Sequence, residues 1–206
     1  RQMCIRDRRH TQSMRRYSEY RVALVGYTNA GKSTLFKTLT GTNVYIQDQL
    51  FATLDTTIRK LSLDSAHTIL LSDTVGFIRK LPHNLVASFK STLKEVLEAD
   101  LILMVLDISS PQINEHITTI FDVLKEMSAN KIPIVKVLNK VDLISNGKLI
   151  QKLQQSFPDS VTISARNHLR LSDLKQKIIT MMESSYETVD LKLSLIHISE
   201  PTRRIL

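Results

Sequence analysis

The fold is decided by one stretch near the start of the chain, Arg21-Val22-Ala23-Leu24-Val25-Gly26-Tyr27-Thr28-Asn29-Ala30-Gly31-Lys32-Ser33. Its first residues are an apolar run, which predicts a buried strand. The run leads into the pattern G-x-x-x-x-G-K-[S/T], and a helical stretch from Ser33 to Thr40 follows, with Gly41 placed to end it. A strand, a glycine-containing loop and a helix in this order predict a phosphate-binding loop, or P-loop.

A P-loop binds phosphate because its glycines let successive backbone N–H groups point inward, while the helix N-terminus adds positive potential. We expect Lys32 to reach the β- and γ-phosphates of a nucleotide and the Ser33 hydroxyl to bind Mg²⁺. The predicted nucleotide contacts in this segment are Gly26, Tyr27, Thr28, Asn29, Ala30, Gly31, Lys32, Ser33 and Thr34.

Outward from the P-loop, strand and helix patterns alternate along the chain. Residues 42–57 lack a clean period and predict a long loop. Apolar runs predict further strands at 58–63, 68–72, 101–106, 132–138 and 161–163. Helical periodicity predicts helices at 85–97, 112–127, 148–155 and 172–182. The fold class is therefore α/β, a three-layer P-loop fold with a mostly parallel six-stranded sheet and helices on both faces.

The base of the nucleotide is indicated by Asn139-Lys140-Val141-Asp142, which closes the strand predicted at 132–138. The Asp142 carboxylate can accept hydrogen bonds from N1–H and the exocyclic amine of guanine, whereas adenine offers no such donor pair. We expect Asn139 to touch the base edge and tie back to the P-loop, and the Lys140 stem to cover the ring. Ser164 and Ala165, after the last strand, suit a loop that closes over guanine.

A D-x-x-G pattern at 73–76 follows another predicted strand. We expect Asp73 to hold Mg²⁺ through water and the Gly76 N–H to sense the γ-phosphate. A threonine before this pattern must complete the Mg²⁺ shell. Thr53, Thr56 and Thr57 are the candidates, and Thr53 is favoured.

Two positions concern the hydrolysis step. Phe77 follows the D-x-x-G glycine, where Ras-like GTPases use a glutamine to orient water. The activity is therefore feeble, or the water is placed by backbone groups, an ion or a partner. Asn29 is a candidate ligand for K⁺, with an asparagine tolerated in a tight turn as the alternative. The predicted catalytic groups are Lys32, Thr53 and Gly76.

Composition narrows the class of protein. The 206 residues are 42% apolar, and no apolar run approaches the roughly 18 residues of a membrane span. The basic start has no apolar segment of a secretory signal, and the single cysteine, Cys4, favours a reducing compartment. We expect a cytoplasmic, monomeric protein, and we expect its six histidines to lie at the surface or to have no specific role.

Much of the +8 net charge lies in residues 1–20. This basic segment is either a solvated linker or an arm that binds RNA.

The motifs closely resemble those of the HflX family of translational GTPases. The resemblance lies in residues 22–36, in Asp48-Gln49-Leu50-Phe51-Ala52-Thr53-Leu54-Asp55 and in residues 73–83, and it extends over about 15–185. It implies a P-loop GTPase fold and a Mg²⁺-dependent enzyme that hydrolyses GTP to GDP and phosphate. It also implies binding to the large ribosomal subunit and its rRNA, the splitting of stalled or idle ribosomes, and activation by the ribosome. It supports Thr53 as the switch threonine.

The same resemblance sets the expected domain bounds. We expect residues 21–185 to form the GTPase domain, 1–20 a disordered basic linker and 186–206 a tail. Segments 2–8 and 194–203 resemble translated sequencing adapters, and we expect them to have no function. Members of that family carry a large N-terminal domain and a helical segment before the GTPase domain, and we expect neither within these 206 residues. Two alternatives stay open: a GTP-sensing switch with negligible hydrolysis, and another potassium-activated GTPase of ribosome assembly or tRNA modification.

Overall fold

Six strands form a single sheet in the computed structural model, which describes residues 19–41, 57–74, 76, 94–144, 147 and 155–185. A 3₁₀ turn follows the fifth strand. In chain order the strands and helices are β1 (Tyr20–Gly26), α1 (Lys32–Thr40), β2 (Thr57–Ser62), β3 (Thr68–Asp73), β4 (Leu101–Asp107), α2 (Ile113–Glu126), β5 (Ile134–Asn139), the 3₁₀ turn (Val141–Leu143), β6 (Val161–Thr162) and α3 (Leu171–Ser185).

The strands lie side by side in the order β2-β3-β1-β4-β5-β6. β2 is antiparallel to β3, and every other neighbouring pair is parallel. This arrangement confirms the α/β class and the mostly parallel six-stranded sheet predicted from the sequence. Because five strands run in one direction, their carboxyl ends share one edge of the sheet, where ligands of such folds bind.

Apolar side chains form a core on each face of the sheet. Helices α1 and α3 cover one face and α2 covers the other, so the strands between them are buried on both sides. β4 illustrates this, since its apolar residues are all buried and alternate between the two cores, Leu103 in one and Met104 in the other. The continuous apolar run at 101–106 reflects this two-sided burial.

Two glycines shape the end of β1 and the end of α1. A side chain at Gly26 would collide with the backbone carbonyl of Val105 on the neighbouring strand, so β1 and β4 approach closely at that point only because residue 26 is glycine. Gly41 has a φ of 68° and donates its N–H to the Lys37 carbonyl at 2.8 Å. This confirms that Gly41 ends α1.

β2 and β3 form the predicted hairpin around a turn at residues 64–67. The Leu63 N–H donates to the His67 carbonyl at 2.9 Å, and one Asp64 oxygen accepts from the backbone N–H groups of Ala66 and His67 at 2.8 and 2.6 Å. The His67 ring lies 2.8 Å from the other oxygen. The side-chain hydrogen bond to His67, followed by the backbone bonds, lowers the pKa of Asp64 to about 2.

Some predicted elements differ from the observed ones at their ends. The fifth strand begins at Ile134 instead of 132, since residue 133 is a proline, which has no N–H to donate and contributes only its carbonyl, to Ile102. The last helix runs past its predicted end to Ser185. Of the helix predicted at 85–97, residues 94–97 are helical and the remainder lies outside the described residues. Of the loop predicted at 42–57, Thr57 belongs to β2 instead, and the rest lies outside the described residues. Most of the helix predicted at 148–155 also lies outside them.

Ile120 provides a test of the core that lies between α2 and the sheet. Its side chain is 0% exposed, so Ile120→Ala is expected to lower the free energy of unfolding by about 2–5 kcal/mol through lost burial and a residual cavity. Chemical denaturation measures the change. The adjacent Phe121 is 41% exposed, and Phe121→Ala should cost much less. Equal losses in the two variants would contradict the packing described here.

Candidate functional site

The residues predicted to bind nucleotide converge on the carboxyl edge of the sheet. β1 ends at Gly26, where the P-loop begins, β3 ends at Asp73 and β5 ends at Asn139. The segment at Ser164 and Ala165 follows β6 and is fully buried. Parallel strands therefore deliver four separate sequence motifs to one edge, although the motifs are far apart in the chain.

The P-loop turns tightly between β1 and α1. Asn29 has a φ of 61° and Gly31 a φ of 93°, both in the left-handed region, and the Ala30 N–H donates to the Tyr27 carbonyl at 3.2 Å. The Leu35 N–H then donates to the Gly31 carbonyl at 2.9 Å and begins the helical pattern. Glycine suits position 31 for two reasons: it adopts a positive φ readily, and any side chain there would collide with the amide nitrogen of Asn139.

Lys32 lies folded into the P-loop. Its ammonium donates to the carbonyls of Gly26 and Tyr27 at 3.1 and 3.0 Å, and the residue is only 6% exposed. Burial lowers the pKa of Lys32 to about 8, against the opposing attraction of Asp73. A buried ammonium close to the loop backbone is suited to receive an anion, because low local polarity strengthens its attraction for phosphate.

The D-x-x-G segment packs directly on the P-loop. A side chain at Gly76 would come within 2.9 Å of the Lys32 ammonium and 3.0 Å of the Thr28 backbone. The Thr74 hydroxyl donates to the Leu24 carbonyl at 2.6 Å, which anchors the segment to β1. The structure thus places Gly76 beside the residue predicted to contact the β- and γ-phosphates.

The Asn139 side chain connects three loops. Its amide nitrogen donates to the Ala30 carbonyl in the P-loop at 2.9 Å, and its amide oxygen accepts from the Ala165 N–H at 3.0 Å. The Thr38 hydroxyl on α1 donates to the Ala165 carbonyl at 3.0 Å. These bonds agree with the expectation that Asn139 ties back to the P-loop, and they place Ala165 beside it.

Lys140 and Asp142 follow in a tight turn. Lys140 has a φ of 67°, and the Val141 N–H donates to the Ile163 carbonyl at 3.2 Å. The 3₁₀ turn then leaves Asp142 exposed. An exposed carboxylate at this edge is available to a ligand, as its predicted contact with guanine requires.

Asp107, the last residue of β4, is a charged neighbour that sequence reasoning missed. Its carboxylate lies 2.6 Å from the Lys140 ammonium and also accepts from the Ser109 backbone N–H at 2.9 Å and the Ser109 hydroxyl. Burial tends to raise the pKa of Asp107, but the hydrogen bonds from Lys140 and Ser109 outweigh it and hold the pKa below its ordinary value. The available signal was an acidic residue ending a buried strand next to the strand that carries 139–142.

His116 on α2 was also missed, because the histidines were expected to be surface or incidental. Its ring stacks on the Tyr27 ring of the P-loop, with centroids 4.0 Å apart and planes 12° from parallel. This contact joins α2 to the P-loop, and no spacing of residues in the sequence predicts it.

Other predicted site residues are less fully placed. Ser33 and Thr34 lie in the first turn of α1, and Thr57 pairs with Asp73 across the hairpin. Thr53, Thr56 and Phe77 lie outside the described residues. Within the described part of the chain, no three histidine, cysteine, aspartate or glutamate residues cluster as a metal site. Nor does any helix there combine the length and apolarity needed to cross a membrane.

Comparisons with known proteins agree with this geometry. The family described as "50S ribosome-binding GTPase" matches residues 21–140. The GTPase HflX of Caldanaerobacter subterraneus subsp. tengcongensis is 49% identical over 157 residues, which are 76% of this chain and 35% of that protein. The chain therefore spans about a third of the length of this curated relative.

Solved structures show the same fold. A GTP-binding protein from Sulfolobus solfataricus in complex with GDP is 28% identical, with a TM-score of 0.64 over 86% of this chain and 58% of that one. Era in complex with MgGDPNP and nucleotides 1506–1542 of 16S ribosomal RNA is 26% identical, with a TM-score of 0.63 over 84% of this chain and 58% of that one.

Replacing Asn139 by alanine tests the link between the loops. The Asn139→Ala variant removes both hydrogen bonds and leaves a buried carbonyl and a buried N–H without this partner, so the free energy of unfolding should fall by about 1–3 kcal/mol without nucleotide. Chemical denaturation measures it. Asn130→Ala makes the same chemical change at an exposed position and should have little effect. A silent Asn139→Ala variant would show that the loops are held by other contacts.

Proposed function

The chain belongs to the family of 50S ribosome-binding GTPases and is a GTPase domain of the HflX type, and from this premise we propose that the edge described above binds GTP and hydrolyses it to GDP and phosphate. The observation that carries the proposal is the pair of hydrogen bonds made by Asn139. Through them the strand end next to Lys140 and Asp142 is fixed to the phosphate loop, so base recognition and phosphate recognition are held in one rigid unit.

Guanine is the base that fits the proposed site. Asp142 offers two acceptor oxygens to N1–H and the exocyclic amine, and its exposure leaves it open to the ligand. Adenine would leave this carboxylate desolvated without donors, which is a costly mismatch. The Lys140 stem would cover one face of the ring, and Ser164 and Ala165 would close over its edge.

We further propose that Mg²⁺ is held directly by the Ser33 hydroxyl and through water by the Asp73 carboxylate. A hard cation prefers oxygen ligands and commonly uses one or two protein groups together with water and nucleotide phosphates. Asp73 is a 3% exposed carboxylate at the end of β3, and Ser33 begins α1 directly after Lys32, so this donor set fits. Mg²⁺ bound there would offset negative charge on the phosphates. Thr53 is proposed as a further ligand.

For the hydrolysis step we propose that this chain contributes mainly position and charge. Water attacks the γ-phosphate in line, and the chain's groups stabilise the charge that develops on its oxygens. Lys32 supplies a buried ammonium, and Gly76, which lies beside it, supplies a backbone N–H. Phe77 cannot orient water. The exposed Asn29 in the P-loop turn is proposed as a ligand for K⁺, whose charge would assist Lys32.

The proposed setting of this activity is the large ribosomal subunit, with the splitting of stalled or idle ribosomes as the role of the longer protein. Two observations support it. The family model matches residues 21–140, which are 58% of the chain, and its description is that of a ribosome-binding GTPase. The related Era structure contains a segment of ribosomal RNA. An activator outside the chain also suits a site in which Phe77 stands where Ras-like GTPases place a glutamine.

Asp142→Asn tests the base assignment. The asparagine loses the charged acceptor for guanine but gains an amide donor that matches the 2-carbonyl of xanthine. Affinity for GTP should fall by about 100-fold, since the bond to N1–H loses its charge and the amide donor opposes the exocyclic amine, and affinity for XTP should rise. Titration with fluorescent nucleotides measures both constants. Asp122→Asn, at an exposed position on α2, should leave them unchanged. Tighter binding of ATP than GTP by the unaltered chain would refute the assignment to guanine.

The hydrolysis step is tested by GTP turnover in KCl and in NaCl, each with and without large ribosomal subunits. We expect the slow basal rate to be several-fold higher in KCl, with Asn29→Ala removing the difference, and a further rise with ribosomal subunits. Release of inorganic phosphate is the readout. Nucleotide binding without turnover in all four conditions would instead favour a GTP-sensing switch. Equal rates in the two salts would remove K⁺ from the proposal.

A further inference from the structure

Asp107 lies where it can act on base recognition without touching the base. It is the last residue of β4 and pairs in register with Asn139, the first residue of the 139–142 motif. The pairing continues one residue further, since the Ile108 N–H donates to the Asn139 carbonyl at 3.0 Å. The backbone that carries Asp107 is therefore fixed to the backbone that carries Lys140.

The Asp107 carboxylate is held on both of its oxygens. One oxygen accepts from the backbone N–H of Ser109 at 2.9 Å and from the Ser109 hydroxyl, while the other faces the Lys140 ammonium at 2.6 Å. Both side chains are largely shielded from water, with exposures of 19% for Asp107 and 30% for Lys140. A short, shielded and oriented ion pair holds its side chains in place, unlike a flexible surface pair, which contributes little to stability.

Lys140 is the residue expected to cover the guanine ring, and its four-carbon stem has several rotatable bonds. A free lysine would lose this rotational freedom when a nucleotide binds, and the affinity would fall accordingly. With the ammonium held by Asp107 and the backbone fixed in the turn after β5, both ends of the stem are restrained before the ligand arrives.

We propose that Asp107 is a positioning residue for guanine nucleotides: its carboxylate, oriented by Ser109, holds the Lys140 ammonium so that the lysine stem is already arranged to cover the base. This inference rests on the proposed function, because it assigns a role at the same site. Asp107 acts on the base end of the nucleotide, so it affects GTP and GDP alike. Its contribution lies in retaining the nucleotide and not in the chemical step.

A double-mutant cycle on the 206-residue chain tests the proposal, with fluorescent GTP and GDP as probes. Asp107→Asn is expected to raise the dissociation constant for both nucleotides about fivefold, mainly through faster release, and to leave kcat at saturating GTP unchanged. Lys140→Met retains an apolar stem but removes the ammonium. In that background, Asp107→Asn should change the dissociation constant less than twofold.

Glu98→Gln is the matched control. Glu98 forms an ion pair with Arg21 at 2.8 Å, with side-chain exposures of 31% for Glu98 and 21% for Arg21. Arg21 lies near the opposite end of β1 from the P-loop. Glu98→Gln should leave the dissociation constants for GTP and GDP unchanged, while it lowers the thermal stability by about as much as Asp107→Asn does. Where Asp107→Asn fails to fold, Ser109→Ala, which removes one donor to the carboxylate, should raise the constants about twofold.

Three results would overturn the role of Asp107. The first is an unchanged dissociation constant in Asp107→Asn, or in Ser109→Ala where that variant replaces it. The second is a loss of affinity on Asp107→Asn that is as large in the Lys140→Met background as in the unaltered chain. The third is a loss of affinity in Glu98→Gln as large as that in Asp107→Asn. Failure of the unaltered chain to bind either nucleotide is a different outcome, which refutes the proposed function itself. The cycle thus separates positioning through Lys140 from a general effect on folding.

Discussion

The buried carboxamide of Asn139 is the contact on which the arrangement of the site depends. One side chain satisfies a carbonyl of the P-loop and an N–H of the segment after β6. Both loops carry polar backbone groups that are costly to bury unpaired. An amide with one donor end and one acceptor end meets both needs, which explains why neither an aspartate nor an apolar residue would serve here.

This constraint needs a particular sheet. Asn139 reaches both loops only because β5 lies two strands from β1 and directly beside β6, with all three running in the same direction. The two apolar cores hold that order, and the Gly26 close approach allows β1 and β4 to stay in contact up to the start of the loop. Packing far from the edge therefore determines distances at the edge.

The fold and the central site residues were accessible from the sequence, because they depend on local patterns. The apolar runs, the P-loop glycines and the position of Gly41 each encode their own structure, and four motifs at strand ends must meet once the strands are parallel. Asp107 and His116 were not accessible in this way. Their roles arise from contacts between segments more than thirty residues apart, with Lys140 and with Tyr27, and nothing in their local sequence specifies the partner.

The same strand order has a consequence at the two borders of the sheet. Unpaired strand borders can recruit strands from other molecules and begin aggregation. Among the residues that the structure describes, one border is β6, which has only two residues, and the other is β2, where Arg59 and Lys60 are exposed. A border too short to offer a template and a border that repels its own copy both oppose sheet growth between molecules.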